Sequence, residues 1–183
     1  PEYSGESIAY NGQYKLLAVT EKHTTGAPHY VETGHCQPAP LSEGMFEKIE
    51  QVLYKAFVSL GIKYGAIHPE FRITPDGKIL FMEIATRMGG DCIGTDLVPL
   101  STGYDFMGMV IRICCGKEPD FTKIREPKIA ENHYIMSQVD LAEFEHIKAE
   151  LPEMIWRHSN MKPVSDTPVL KSADRAGYYI TIK

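Results

Sequence analysis

Hydrophobic positions along this chain recur with two periods, and the switch between them marks the elements. Over residues 6–20 apolar and polar side chains alternate on either side of Asn11-Gly12. That dipeptide tolerates positive φ at both central positions of a tight turn, so the stretch predicts a β-hairpin closed by a type I′ turn. Over residues 42–61 the period becomes helical: Met45, Phe46, Ile49, Val52, Leu53, Ala56, Phe57 and Leu60 share one stripe. Ser42 suits the N-cap and Gly61 the position just past the C-terminus. This helix is expected to lie across a sheet made by two hairpins.

The second hairpin spans residues 68–91, HPEFRITPDGKILFMEIATRMGGD, with turn chemistry at Thr74-Pro75-Asp76-Gly77. Pairing Thr74 with Gly77 sets Arg72 opposite Ile79, Glu70 opposite Phe81 and His68 opposite Glu83. Glu70 and Glu83 then become diagonal neighbours on one face, about 7–8 Å apart. A slip of one residue would put them on opposite faces. Two carboxylates that close repel, so either solvent or a cation must offset the cost. Magnesium is held by one or two carboxylates together with substrate phosphates. On spacing alone, both a solvated pair of glutamates and a cation site stay open. Downstream, Arg87 stands four residues beyond Glu83, and Met88-Gly89-Gly90-Asp91 strips the backbone of bulk where something is expected to approach closely.

The rest of the chain carries weaker signals. Residues 95–100 predict a helical turn. Residues 104–115 predict a short helix, apolar nearly all round and therefore expected to be buried on several sides, with Cys114 and Cys115 as buried neutral thiols. From Pro119 a proline-rich linker suggests a subdomain boundary. Beyond it come a strand near residues 133–139, a helix over 140–150 capped by Asp140, a strand near 154–158 and a closing strand over 176–182. Leu141, Phe144 and Ile147 give that helix one apolar stripe, and Trp156 is expected to anchor packing.

Composition narrows the function classes. At 183 residues, 43% hydrophobic and 23% charged, the chain can bury a substantial core. A net charge of −5 speaks against a nucleic-acid surface. The four cysteines have no C-x-x-C spacing, which disfavours a disulfide framework or a zinc site. His23, His29 and His35 stand six apart and match no zinc spacing. No secretory signal or long apolar run is evident, so a cytoplasmic protein without membrane contact is expected. Pro1 opens the chain directly into a strand-like pattern, which reads as a piece of a longer protein.

With those residues in view, the chain resembles the ATP-grasp superfamily of ATP-dependent carboxylate–amine ligases, closest in motif to the L-amino acid ligase branch. The resemblance implies an α+β fold: an ATP-grasp large lobe over residues 1–118, mostly antiparallel sheet with packed helices, and a small β-rich subdomain over 119–183. It implies Mg²⁺ or Mn²⁺ on Glu70 and Glu83, with Arg87 on the phosphates of ATP. The family's usual asparagine between the second glutamate and the arginine is Ala85 here. The run Tyr30-Val31-Glu32-Thr33-Gly34-His35 resembles the substrate and acyl-phosphate pocket, so Glu32 and Asp91 are implied to touch substrate and His35 the transferring group. The family's adenine, ribose and phosphate-lysine contacts fall upstream, and the 183-residue piece alone is expected to be inactive. Its partners would be ATP, a carboxylic or amino acid and an amine, with a homodimer left open. Two other readings remain: a biotin-carboxylase-like or purine-biosynthetic ligase, and a non-catalytic interaction domain.

Overall fold

The computed structural model describes residues 1–165 and 167–183. Among them, eight strands form one antiparallel sheet. They are β1 (Glu2–Tyr10), β2 (Gln13–Thr24), β3 (Glu32–Gln37), β4 (Gly65–Ile73), β5 (Ile79–Ala85), β6 (Ala130–Ile135), β7 (Ile155–His158) and β8 (Gly177–Ile182). Their order across the sheet is β5-β4-β1-β2-β3-β6-β8-β7. The segment leading to β6 makes one isolated bridge, Tyr104 with Lys123, and the sheet continues beyond it where β6 pairs with β3.

The first hairpin forms as the alternation predicts. Asn11 and Gly12 take φ of 51° and 74°, joining β1 to β2. Helix α1 (Glu43–Ser59) begins at Ser42, whose hydroxyl accepts from the Met45 amide at 3.3 Å. Gly61, at φ 66°, lies just past its end. Its buried residues Ile49, Leu53 and Phe57 pack on Tyr3, Leu16, Val19, Ile67 and Phe71 from β1, β2 and β4. Gly5 makes this approach feasible: a Cβ there would stand 2.9 Å from Leu53 Cδ1.

The β4–β5 hairpin departs from the expected register in two steps. Gly77, at φ 76°, extends the turn, so the Thr74 amide bonds to the Lys78 carbonyl at 2.9 Å and the loop holds three residues rather than two. That change alone would send Glu70 and Glu83 to opposite faces. A β-bulge between Glu70 and Phe71 then shifts the pairing once more. The result sets Glu70 directly opposite Glu83, and His68 opposite Ala85 rather than Glu83.

On the other face, a π-helical turn (Ile93–Leu97), α2 (Val98–Thr102) and α3 (Phe106–Cys114) cover Ile8, Ala66, Ala130 and Ile180. Helix α3 is buried on one side only, through Phe106, Met109 and Ile113, whereas Met107 and Ile111 are exposed. It forms the outermost layer there, and Cys114 and Cys115 are exposed as well, contrary to the burial its all-round apolar sequence suggests. Helix α4 (Gln138–Glu150) starts two residues earlier than expected. Ser137 is the cap, and Asp140 completes a capping box by accepting from the Ser137 amide at 2.8 Å. Phe144 is its buried anchor, against Ile135, Ala176 and Tyr179. Trp156 lies exposed on edge strand β7 with the Arg125 guanidinium 5.2 Å from its ring, so it anchors no core. No helix among the described residues is long and apolar enough to cross a membrane.

Candidate active site

The sheet face opposite α1 carries two rows of polar side chains beyond the edge of the α2–α3 cover. Register aligns Arg72, Glu2, Lys22, His35 and Asn132 across β4, β1, β2, β3 and β6. The next row aligns Glu83, Glu70, Ser4 and Thr20. Period-2 alternation therefore delivers residues from distant parts of the sequence to one surface.

Lys22 is the hub of the first row. Its ammonium donates to Glu70 Oε1 at 2.6 Å and lies 3.5 Å from Glu2 Oε1 and 3.7 Å from Glu32 Oε1, with only 5% of its side chain exposed. Burial works against its charge, but the hydrogen bond to Glu70 and the fields of Glu70, Glu32 and Glu2 outweigh that and raise its pKa. The ammonium thus spans the strand carrying Glu70 and the loop edge carrying Glu32.

Behind Glu70 runs a second chain of contacts. His68 Nε2 lies 3.2 Å from Glu70 Oε1, and its Nδ1 lies 2.7 Å from Glu6 Oε1. Glu6 is fully buried and also accepts from Ser4 Oγ and the Gly89 amide. Burial opposes a charge on His68, yet the hydrogen bonds to Glu6 and Glu70 lift its pKa to about 9. The same bond from His68, with help from Lys22 and against burial, lowers Glu70 to about 2. Glu70 is therefore ionised throughout the neutral range. Gly89 serves this arrangement, because a Cβ there would meet His68 Nδ1 at 2.9 Å and Glu6 Oε2 at 3.0 Å. What approaches that glycine is the protein's own ion pair, whereas Gly90 has nothing within 4 Å.

Glu83 and Arg87 sit at the open edge. Both are more than half exposed and 3.8 Å apart, and Arg87 also donates to the Met88 carbonyl at 2.9 Å. At the opposite side, Arg175 donates to Glu32 Oε2 at 2.7 Å and to Asp91 Oδ2 at 2.8 Å. Burial opposes the charge of Asp91, but its bond to Arg175 prevails and lowers its pKa. His35 is 2% exposed, and burial, reinforced by Lys22, pushes its pKa down to about 3. It is neutral at pH 7 and offers a ring nitrogen, not a full positive charge.

Glu32, Asp91, Glu70 and His35 thus border one polar surface, tied together by Lys22 and Arg175. Neither of those two basic residues stood out in the sequence. Lys22 shares a phase with Thr20 on β2, a faint signal for a site-facing lysine. Arg175 had none, lying 143 residues from Glu32. Among the described residues no three His, Cys, Asp or Glu side chains converge as a metal site on their own. Two facing carboxylates, Glu70 using only Oε1 in the contacts above, still match what magnesium takes from protein when phosphates supply further oxygens.

A family model described as "ATP-grasp domain" matches residues 1–96. Alanine–anticapsin ligase of Bacillus subtilis is 28% identical over 119 residues, covering 64% of this chain and 25% of that protein. The L-amino acid ligase of Bacillus licheniformis superposes over 100% of this chain and 46% of its own, with a TM-score of 0.81 and 23% identity, and so shares the fold. The biotin carboxylase domain of Hydrogenobacter thermophilus 2-oxoglutarate carboxylase, solved with MgADP, ADP and bicarbonate, aligns over 100% of this chain and 41% of its own at TM-score 0.64 and 17% identity. The chain spans a third or less of the curated relatives it matches and under half of the solved chains.

Proposed function

The chain belongs to the ATP-grasp family, and from that premise we propose that the whole protein is an ATP-dependent carboxylate–amine ligase acting on amino acids. The observation carrying this reading is the continuous charged surface from the facing Glu70–Glu83 pair, through Lys22, to Glu32 and Asp91. One end suits a metal-bound triphosphate and the other an amino acid. The likeness to alanine–anticapsin ligase supports the choice of amino-acid substrates.

The reaction has two steps. A substrate carboxylate oxygen attacks the γ-phosphorus of ATP and ADP leaves, giving an acyl phosphate. An amine nitrogen then attacks the acyl carbon, inorganic phosphate leaves, the nitrogen loses a proton and an amide or peptide bond remains. Glu70 and Glu83 would hold Mg²⁺ or Mn²⁺, which supplies charge neutralisation on the phosphates. Arg87 steadies phosphoryl oxygens, Lys22 offsets negative charge between phosphate and substrate, and neutral His35 donates a hydrogen bond to the transferring group. Glu32 receives the amino group, with Asp91 beside it. In this reading residues 1–118 form the lobe and 119–183 a subdomain closing one wall of the site.

The test is ATP-dependent phosphate release by the full-length protein, screened over single amino acids and pairs, with Glu83→Gln as control. Release that requires an amino acid and disappears in the variant, with the fold intact, is the expected result. Unchanged release by Glu83→Gln would overturn the metal assignment, and release with bicarbonate or formate but no amino acid would overturn the substrate class.

A further inference from the structure

Arg175 lies outside the residues matched by the family model, yet it is bound into the candidate site through two carboxylates. Its side chain is 7% exposed, its guanidinium stands 3.6 Å from the centre of the Tyr134 ring, and its two terminal nitrogens bridge Glu32 and Asp91. The C-terminal part of the chain also grips Asp91 through its backbone. Asn132 Nδ2 donates to the Asp91 carbonyl at 2.9 Å, and Tyr134 adds a longer contact to the same oxygen at 3.4 Å. Asp91 and Cys92 hold φ of 49° and 66°, a conformation that costs non-glycine residues energy and persists only when neighbours enforce it. Three buried polar atoms in this cluster have no hydrogen-bond partner: His35 Nδ1, Asn132 Oδ1 and Arg175 Nε.

Charge defines what such a wall accepts. Lys22 and Arg72 offset Glu70 and Glu2, with contacts of 2.6 and 3.2 Å, and Arg87 faces Glu83. That leaves Glu32 and Asp91 against Arg175, with Lys22, already paired to Glu70, 3.7 Å from Glu32, beside a neutral His35. The wall carries one net negative charge. It fits the ammonium of an amino acid and disfavours a carboxylate that lacks an amine.

We infer that Arg175 is a positioning residue for substrate selection: by clamping Glu32 and Asp91 together it shapes an ammonium-accepting wall from the C-terminal subdomain. This rests on the amino-acid reading of the site given above. Lysine is a poor replacement, since it lacks the two separate terminal nitrogens by which the guanidinium meets Asp91 with one and Glu32 with the other.

The test uses full-length protein, wild type and Arg175→Ala and Arg175→Lys. Probes are the twenty proteinogenic amino acids and, for each that binds, its deaminated acid. Binding is measured by calorimetry, and KM for amino acid and for ATP from phosphate release. The wild type should bind an amino acid in preference to its deaminated form. Arg175→Ala should raise the amino-acid Kd and KM by about tenfold or more, leave the KM for ATP within about twofold, and regain amino-acid affinity when guanidinium ion is added at millimolar concentration. Arg175→Lys should restore little.

An amino-acid affinity within twofold of wild type in Arg175→Ala would overturn the inference. So would a parallel loss of ATP affinity and melting temperature that guanidinium does not reverse, since that marks a purely structural ion pair. Wild type that binds none of the probes would overturn it as well. Arg175-dependent amino-acid binding without any phosphate release would instead overturn the ligase reading and uphold this one.

Discussion

Replacing His68 by glutamine removes the cation between Glu6 and Glu70, and the consequence should depend on pH. In the folded chain the pKa of His68 is about 9, above its ordinary value of 6.5. A group raised on folding adds stability that is fully present below its unfolded pKa and is lost as pH rises through the folded one. The window therefore runs from about pH 6.5 to about pH 9. A rise from 6.5 to about 9, at 1.36 kcal/mol per pH unit, corresponds to about 3 kcal/mol. Glu70, lowered to about 2, obeys the opposite sign: its share is present above 4.5 and is lost as pH falls through 2. The two values describe one interaction and are not summed. Urea denaturation of wild type and His68→Gln at pH 6, 8 and 10 checks this. The variant should be less stable by about 3 kcal/mol at pH 6, and the two curves should converge by pH 10, where wild-type His68 is neutral as well. A difference that stays constant from pH 6 to 10 would refute the reasoning, because steric loss alone does not titrate.

Further expectations follow from single contacts. Gly89→Ala forces a methyl against His68 and Glu6 and should cost about 1–3 kcal/mol, whereas Gly90→Ala, which meets nothing within 4 Å, should stay within about 0.5 kcal/mol of wild type; paired thermal melts compare them. Ser137→Ala removes the N-cap of α4 and should lower stability by about 1 kcal/mol, read by denaturant titration. The 183-residue chain by itself should bind ATP weakly and form no amide; micromolar ATP affinity by calorimetry would contradict that.

Features whose cause is local were legible in the sequence. Asn11-Gly12 needs only its own backbone to turn, and Ser42 caps α1 through an amide three residues away. The apolar period of α1 identified Ile49, Leu53 and Phe57 as core without reference to the rest of the chain. Glu70 and Glu83 were placed on a common face, but through the wrong pairing, because neither the left-handed Gly77 nor the bulge beside Glu70 follows from alternation. Helix α3 misled for a related reason: an apolar sequence does not say how many neighbours will arrive, and only one side of this helix has them. Lys22 and Arg175 lay beyond local reading. Their partners are 48 and 143 residues distant, so only the order of strands in the folded sheet brings them together.

The β4–β5 hairpin has a parity. Glu70 and Glu83 share a face when the numbers of paired residues add to an odd sum and part company when the sum is even. The three-residue turn makes it even, and the bulge makes it odd again. One residue inserted between Lys78 and Met82 would leave both glutamates, the arginine and the glycines recognisable to any motif search while turning Glu83 toward α1. Two inserted residues would keep it on the same side as Glu70. In chains of this kind, the count of residues between two carboxylates is informative only together with the bulges that intervene.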